Sequence, residues 1–271
     1  MSYLGRIAWR QAKPLWTPAN LPGLFMWFSA SDVPSITIAT GVSQWSDKSG
    51  NGRHVTQGTA ANQPAWSAAA VTVNGIGIPG VTFDGSNDIL TRVAAGLFAA
   101  GSATCFLVAT APSIATNRFV VSEGNTADDD SQYAPFKSST TTASTVHSLV
   151  NDDGATANLN NQPATATGWA ATPQILTRID SGSNMKERKN GTGGVNGTNY
   201  TRGTVTLNTF ALGARARTTP TGYAAVTIHE LILCTGVLSA DNIQRTESYL
   251  ATRVAPVALD PTDNGYWSYP P

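Results

Sequence analysis

The chain is short of the residue types from which most recognisable active centres are assembled. Of its 271 residues only two are cysteine, Cys105 and Cys234. Two are too few for a disulfide-built scaffold or a cysteine-rich zinc site. Each sits in an apolar, strand-like run, ATCFLVAT and LILCTGV, where a thiol behaves as a small buried hydrophobe. Spacing leaves open whether the two pair. Charge is scarce as well. Charged residues make up 13% of the chain, and 17 Lys and Arg balance 17 Asp and Glu; a usual share is about 25%. Zero net charge argues against a nucleic-acid binder that works by neutralising many phosphates. Long apolar runs are missing too. The uncharged stretch from Val93 to Asn117 is interrupted by Gly96, Gly101, Ser102, Thr104, Thr110, Pro112 and Ser113, whereas a membrane span needs about 20 mainly apolar residues. The opening MSYLGRIAWRQAKPLW has no apolar h-region and no small-residue cleavage site, so no signal peptide and no membrane insertion are expected. The sequons at Asn190, Asn196 and Asn199 then read as incidental.

Ala, Thr, Ser, Asn and Gly take the place of the missing charge, a composition that suits strands and turns better than salt-bridged helices. From Gly23 onward short β-prone pieces alternate with turn signals: LFMWFSA, ITIATGVSQW, GIPGVTFD, TCFLVATA, RFVVSEG, QILTRIDSG, GTVTLNTFALGA and AAVTIHELILCTG. Short strands with Gly, Asn and Pro between them predict a two-sheet sandwich or barrel. The region from Ser138 to Ala171 reads as weak strands in long loops, and the Gly-rich stretch from Gly191 to Gly197 as a turn. One helix is predicted in LSADNIQRTESYLATRV, with Ser239 as N-cap, Asp241 at the positive end, Ile243, Glu247 and Leu250 on one side, and Pro256 as the stop. Residues 1–22 carry Trp9, Trp16, Pro14, Pro18 and Pro22; prolines block a long helix there. This segment is an arm anchored on a partner through Trp9 and Trp16, or it lies back on its own domain. Residues 23–254 form the sandwich and 255–271 an extended tail.

The order of these pieces resembles the concanavalin A-like, laminin-G-like lectin domains found in bacteriophage and bacterial surface proteins. Phe28-Ser29-Ala30-Ser31-Asp32 stands where that family opens, with Ser29 at its first acidic position. Trp45, Asp47, Ser49, Gly50, Asn51 and Gly52 match its Trp-x-Asp-x-Ser-Gly-Asn-Gly run. Phe83, Asp84, Gly85 and Asp88 match a Phe-Asp-Gly-x-x-Asp phrase, and ALGAR followed by YAAVTIHELILCTGVLSADNIQRTESYL resembles the closing strand and helix. The resemblance spans residues 21–254, with gaps in the middle. It implies an all-β, two-sheet antiparallel jelly roll with one short C-terminal helix. Read from their own chemistry, Asp47 and Asn51 hold a turn, Asp84 and Asp88 order another, and Trp45 and Phe83 pack a core.

Catalytic patterns are sparse. Glutamate occurs only at Glu123, Glu187, Glu230 and Glu247, and these do not form the Glu-x-Asp-x-x-Glu strand of related glucanases. His229-Glu230 begins like a zincin motif, but Leu233 occupies the place of the second histidine. Asp84-x-Ser86-x-Asp88 begins like a calcium loop but has Ile89 where a glycine is required. No nucleophile elbow and no phosphate loop occur. No enzyme activity is therefore expected, although aspartates distant in sequence can still meet in space. Asp128, Asp129 and Asp130 form the densest acidic group; like charges this close suit a hard cation, and calcium is the candidate. Tyr133 beside that loop is the candidate ring for stacking a sugar, with Asp128 as its polar partner. The resemblance, the missing catalytic pattern and the Trp- and Pro-bearing arm together predict a virion structural protein of a tailed bacteriophage. It would be a fibre, spike or decoration protein on capsid or tail, and a homo-oligomer that meets other virion proteins through its arms. Its lectin-like domain would attach to host glycans, gaining from many weak contacts. The alternatives are a glycan-degrading hydrolase on the same fold and a sandwich with no ligand.

Overall fold

A computed structural model describes residues 16–253, apart from Ala95, 128–131, Ser144, 152–156, 163–167 and 204–205. In chain order the strands are β1 (Leu24–Ser29), β2 (Ile36–Ile38), β3 (Val42–Trp45), β4 (Val55–Thr56), β5 (Ala65–Val73) and β6 (Ile76–Asp84). Next come β7 (Leu90–Val93), β8 (Ala103–Thr110), β9 (Phe119–Gly124), β10 (Gln132–Ser138), β11 (Val146–Asn151) and β12 (Ala157–Gln162). The last are β13 (Gln174–Asp180), β14 (Asn184–Lys189), β15 (Thr192–Asn199), β16 (Thr209–Leu212) and β17 (Ala225–Thr235), followed by helix α1 (Ala240–Arg253). They form two antiparallel sheets packed as a sandwich, which is the predicted jelly-roll-like class. Sheet A runs β15-β14-β13-β8-β17-β6-β5, with β1 also on β17; sheet B runs β12-β11-β10-β9-β16-β7-β4-β3-β2.

The main core lies between the sheets and includes Phe28, Trp45, Phe83, Leu107, Phe136, Phe210 and Leu231. Trp45 and Phe83 are buried there as expected, with Trp45 at 5.5 Å from the Phe28 ring. Burying each such side chain stabilises the fold by about 1.5–3 kcal/mol.

Helix α1 covers the opposite, outer face of sheet A. Phe106, Val108, Ile175, Ile232 and Cys234 from the sheet pack with Ile243 and Leu250 from the helix. This explains β8, which is buried at all eight positions. A strand covered on both faces reads as a continuous apolar run. It also separates the thiols. Cys105 faces the inter-sheet core and Cys234 the helix side; both are free.

The uneven alternation in VTIHELIL has a structural cause. The register of β17 against β8 shifts between Ile228 and Glu230. At that point the other edge of β17 passes from β6 to β1. The bulge moves the core-facing phase from Val226 and Ile228 to Leu231 and Leu233, with Ile232 and Cys234 on the helix side, as an extra residue in a ladder must. The helix begins as predicted: Asn242 N–H donates to Ser239 Oγ at 3.3 Å.

One expectation needs correction. The stretch from Gly191 to Gly197 is not a turn, because Thr192–Asn199 is strand β15, paired with β14. The turn is Asn190-Gly191, both at positive φ of 50° and 83°, the backbone that a two-residue hairpin requires. Strands β5, β10 and β14 have polar or alanine-rich sequences that carry little strand signal.

Candidate functional site

The turn residues do what their chemistry predicts. Asp47 accepts from the N–H groups of Trp27, Ser49 and Arg53 at 2.9–3.0 Å, and Asn51 Nδ2 donates to the carbonyls of Leu24 and Phe25. Asp84 accepts from Ser86 N–H at 2.8 Å, and Asp88 from Asp84 N–H at 2.9 Å.

Tyr133 is not a sugar-stacking ring. It is completely buried between the sheets, with Phe98 at 5.6 Å and the Arg202 guanidinium over its ring. Position beside an acidic loop in sequence carries no information about which face of a strand a ring occupies. Asp128, Asp129 and Asp130 lie outside the described residues, as does Trp9. Among the described residues no group of three His, Cys, Asp or Glu is placed to hold a metal ion. Trp16 lies against its own domain, edge-on to Tyr249 of α1 at 6.1 Å.

All four glutamates are buried, each 5% exposed or less, and each is engaged. Glu123 accepts from the N–H groups of Gly96, Leu97 and Phe98 at 2.7–2.9 Å. Glu187 pairs with Arg178 inside the sandwich. Glu247 of α1 accepts from Thr177 Oγ1 and the Arg188 guanidinium, fastening the helix to sheet A. Glu230 accepts from Trp27 Nε1 at 2.8 Å, Tyr249 Oη at 3.0 Å and Ser29 Oγ at 3.3 Å. Burial pushes its carboxyl above the ordinary value, against the pull of those donors and of Arg253 and Lys48. Lys48 also bridges to the half-exposed Asp32 at 2.9 Å.

The outer face of sheet A holds an open cavity of about 490 Å³ beyond the edge of α1, within the usual range of about 300–1,000 Å³ for ligand sites. Its lining is Ile179, Ser181, Asn184, Lys186, Gly197, Asn199 and Val237. The strand register explains why these residues meet. Ile179 lies opposite Lys186, and Lys186 opposite Gly197, across β13, β14 and β15. One step along the same face Asn184 lies opposite Asn199, and Ser181 N–H donates to the Asn184 carbonyl. Asn184 Nδ2 donates to Asn199 Oδ1 at 2.7 Å, which leaves Asn184 Oδ1 buried with no partner. Gly197 makes room for that amide, since a Cβ there would stand 2.0 Å from Asn184 Oδ1. The site thus offers an unsatisfied acceptor, amide and hydroxyl groups, one ammonium and two aliphatic side chains. No sequence motif marks it. Its residues come from three strands and two loops, and the Asn190-Gly191 hairpin is the one local cue.

No family model matches the chain, and no curated protein does. Solved structures do. A Trypanosoma rangeli sialidase in complex with sialic acid is similar with a TM-score of 0.55 and 14% identity over 86% of this chain and 34% of that one. The same sialidase with the inhibitor DANA gives 0.51 and 15%, over 84% and 33%. An arabinofuranosidase complexed with arabinofuranosyl-alpha-1,2-xylobiose gives 0.55 and 12%, over 87% and 60%. The chain therefore spans about a third of the sialidase and three fifths of the arabinofuranosidase. At these identities the likeness establishes a shared fold. The names of these neighbours, a sialidase and an arabinofuranosidase, contradict the expectation of no enzyme activity, which rested on missing linear motifs.

Proposed function

We propose that the chain is a glycan-recognising β-sandwich of the kind that occurs in carbohydrate-processing proteins, with the cavity on β13, β14 and β15 as its binding site. The observation that carries this reading is the unpartnered Asn184 Oδ1, set beside Asn199 and Ser181 in a recess opened by Gly197. A buried acceptor without a donor is costly, by about 1–3 kcal/mol, and a ligand hydroxyl relieves that cost. Sugars supply closely spaced hydroxyls that both donate and accept, and aliphatic C–H faces that suit Ile179 and Val237. The solved neighbours described above, a sialidase and an arabinofuranosidase by name, support a carbohydrate role. A virion location, with residues 1–22 and 255–271 as attachments, is the finer part of the sequence reading and draws no support from them. The test is binding to a broad glycan panel by the intact chain and by Asn184→Ala. Binding lost in the variant supports the reading; binding unchanged, or none by either protein, refutes it.

Glycan hydrolysis is the second reading, favoured by the names of the neighbours. The carboxyls it would use are Glu230, raised by burial, and Asp32, which pairs with Lys48 at 2.9 Å; two carboxyls are the usual complement of a glycosidase. Release of sugar from aryl sialosides or arabinofuranosides, abolished by Glu230→Gln and by Asp32→Asn, would establish it.

A further inference from the structure

We infer that the occupant of the cavity on sheet A is a single carboxylated sugar unit, and that Lys186 reads its charge. The inference rests on the glycan-binding reading of that cavity and names the ligand class.

Size is the first argument. The lining covers three adjacent strands and two same-face rows, Ile179-Lys186-Gly197 and Ser181-Asn184-Asn199. Strands lie about 5 Å apart, and same-face residues about 7 Å apart along a strand. The footprint is therefore about 10 by 7 Å, the size of one sugar ring with its substituents rather than of an extended chain.

Charge is the second. Among the described residues Lys186 is the one charged member of the lining, and no carboxylate stands beside it there. The next outward cation on the same strand, Arg188, is matched by Glu247 at 3.0 Å. Glu187, between them in sequence, faces the opposite side and is taken by Arg178. Lys186 makes no salt bridge with any described residue, so its ammonium is left to an incoming anion. A lysine ammonium acts as a compact point charge with three donors, and a charge-assisted hydrogen bond is about twice as strong as a neutral one.

The third argument separates a sugar acid from a simple anion. Beside the ammonium stand an acceptor without a donor, Asn184 Oδ1, and the Asn199 amide that Asn184 orients. An anion without hydroxyls has no proton for Asn184 Oδ1. A ring that carries both a carboxylate and hydroxyls satisfies the cation and the acceptor together.

The experiment measures Kd for methyl glucuronide, N-acetylneuraminic acid, methyl glucoside and inorganic sulfate with the full chain, following the backbone amide signals of Asn184, Lys186 and Asn199 by NMR. The acids are expected to bind about tenfold more tightly than the neutral glucoside, a difference of about 1.4 kcal/mol. That preference should weaken as salt is raised. Lys186→Gln should bring the acids to within about twofold of the glucoside measured with the same variant, and Lys186→Arg should keep most of the preference. Equal affinity for acid and neutral sugars, or a preference that survives Lys186→Gln, overturns this inference and leaves glycan recognition standing. Sulfate binding as tightly as the glucuronide also overturns it. Amide signals unmoved by any sugar overturn both.

Discussion

Replacement of Gly213 by alanine tests how tightly the two sheets close over the core. Gly213 follows β16 at φ +82°. Its N–H donates to the Val120 carbonyl at 3.0 Å, and its carbonyl accepts from Ala224 at 2.8 Å, so its backbone is held on both sides. A Cβ there would stand 2.1 Å from Phe83 Cδ1. Phe83 is 1% exposed and packed in the main core. Two costs therefore add. The left-handed backbone costs an L-residue about 1–2 kcal/mol, and forcing a methyl group into a packed core costs about 1–3 kcal/mol. Gly213→Ala should lose about 2–5 kcal/mol in all. Gly50 supplies the control: its φ is +86°, but nothing lies within 4 Å of a Cβ placed there. Gly50→Ala should lose only the backbone part. Urea unfolding of both variants, at matched m-values, gives the difference. Phe83→Leu, by removing ring atoms, should recover most of the packing part of Gly213→Ala in a double-mutant cycle. Equal losses at Gly213 and Gly50 to within about 0.5 kcal/mol, the ordinary scatter of independent sites, would refute the reasoning.

Two further outcomes follow from buried groups. Glu230 has a carboxyl raised by burial among Trp27, Ser29, Tyr249, Lys48 and Arg253. Stability linked to such a group is fully present below its ordinary value of 4.5 and is lost as pH rises through the raised folded-state value. The stability gap between the parent and Glu230→Gln should therefore narrow as pH is raised from 4.5 toward neutrality; denaturation at several pH values checks this, and a widening gap would sink it. Cys105 and Cys234 are buried thiols, the first pushed well above its ordinary value and the second to about 12, both chiefly by burial. A thiol-reactive dye should label neither in the native protein and both in denaturant, and an oxidant should not join them within one chain.

Fold class was legible because it rests on local chemistry. The recurring strand-and-turn format, the Asp47 and Asp84 turns, and the helix between Ser239 and Pro256 each depend on neighbours within a few residues. Strands β5, β10, β14 and β15 were illegible because their sequences carry no run of β-branched apolar residues; pairing with neighbouring strands, not propensity, makes them strands. The Gly-rich stretch from Gly191 to Gly197 misled for a related reason. Its glycine at 197 serves the approach of Asn184 from the next strand, a contact that no local pattern announces.

By itself, the sequence determined the sandwich, its turns, its one helix, and the absence of linear catalytic motifs. The tertiary structure decided which faces are wet. It buried Tyr133 and all four glutamates, placed the two thiols on opposite faces of one sheet, and covered one side of that sheet with α1. A cavity assembled from Ile179, Asn184, Lys186 and Asn199 exists only in the paired state, because cross-strand register, not sequence distance, sets which side chains stand about 5 Å apart.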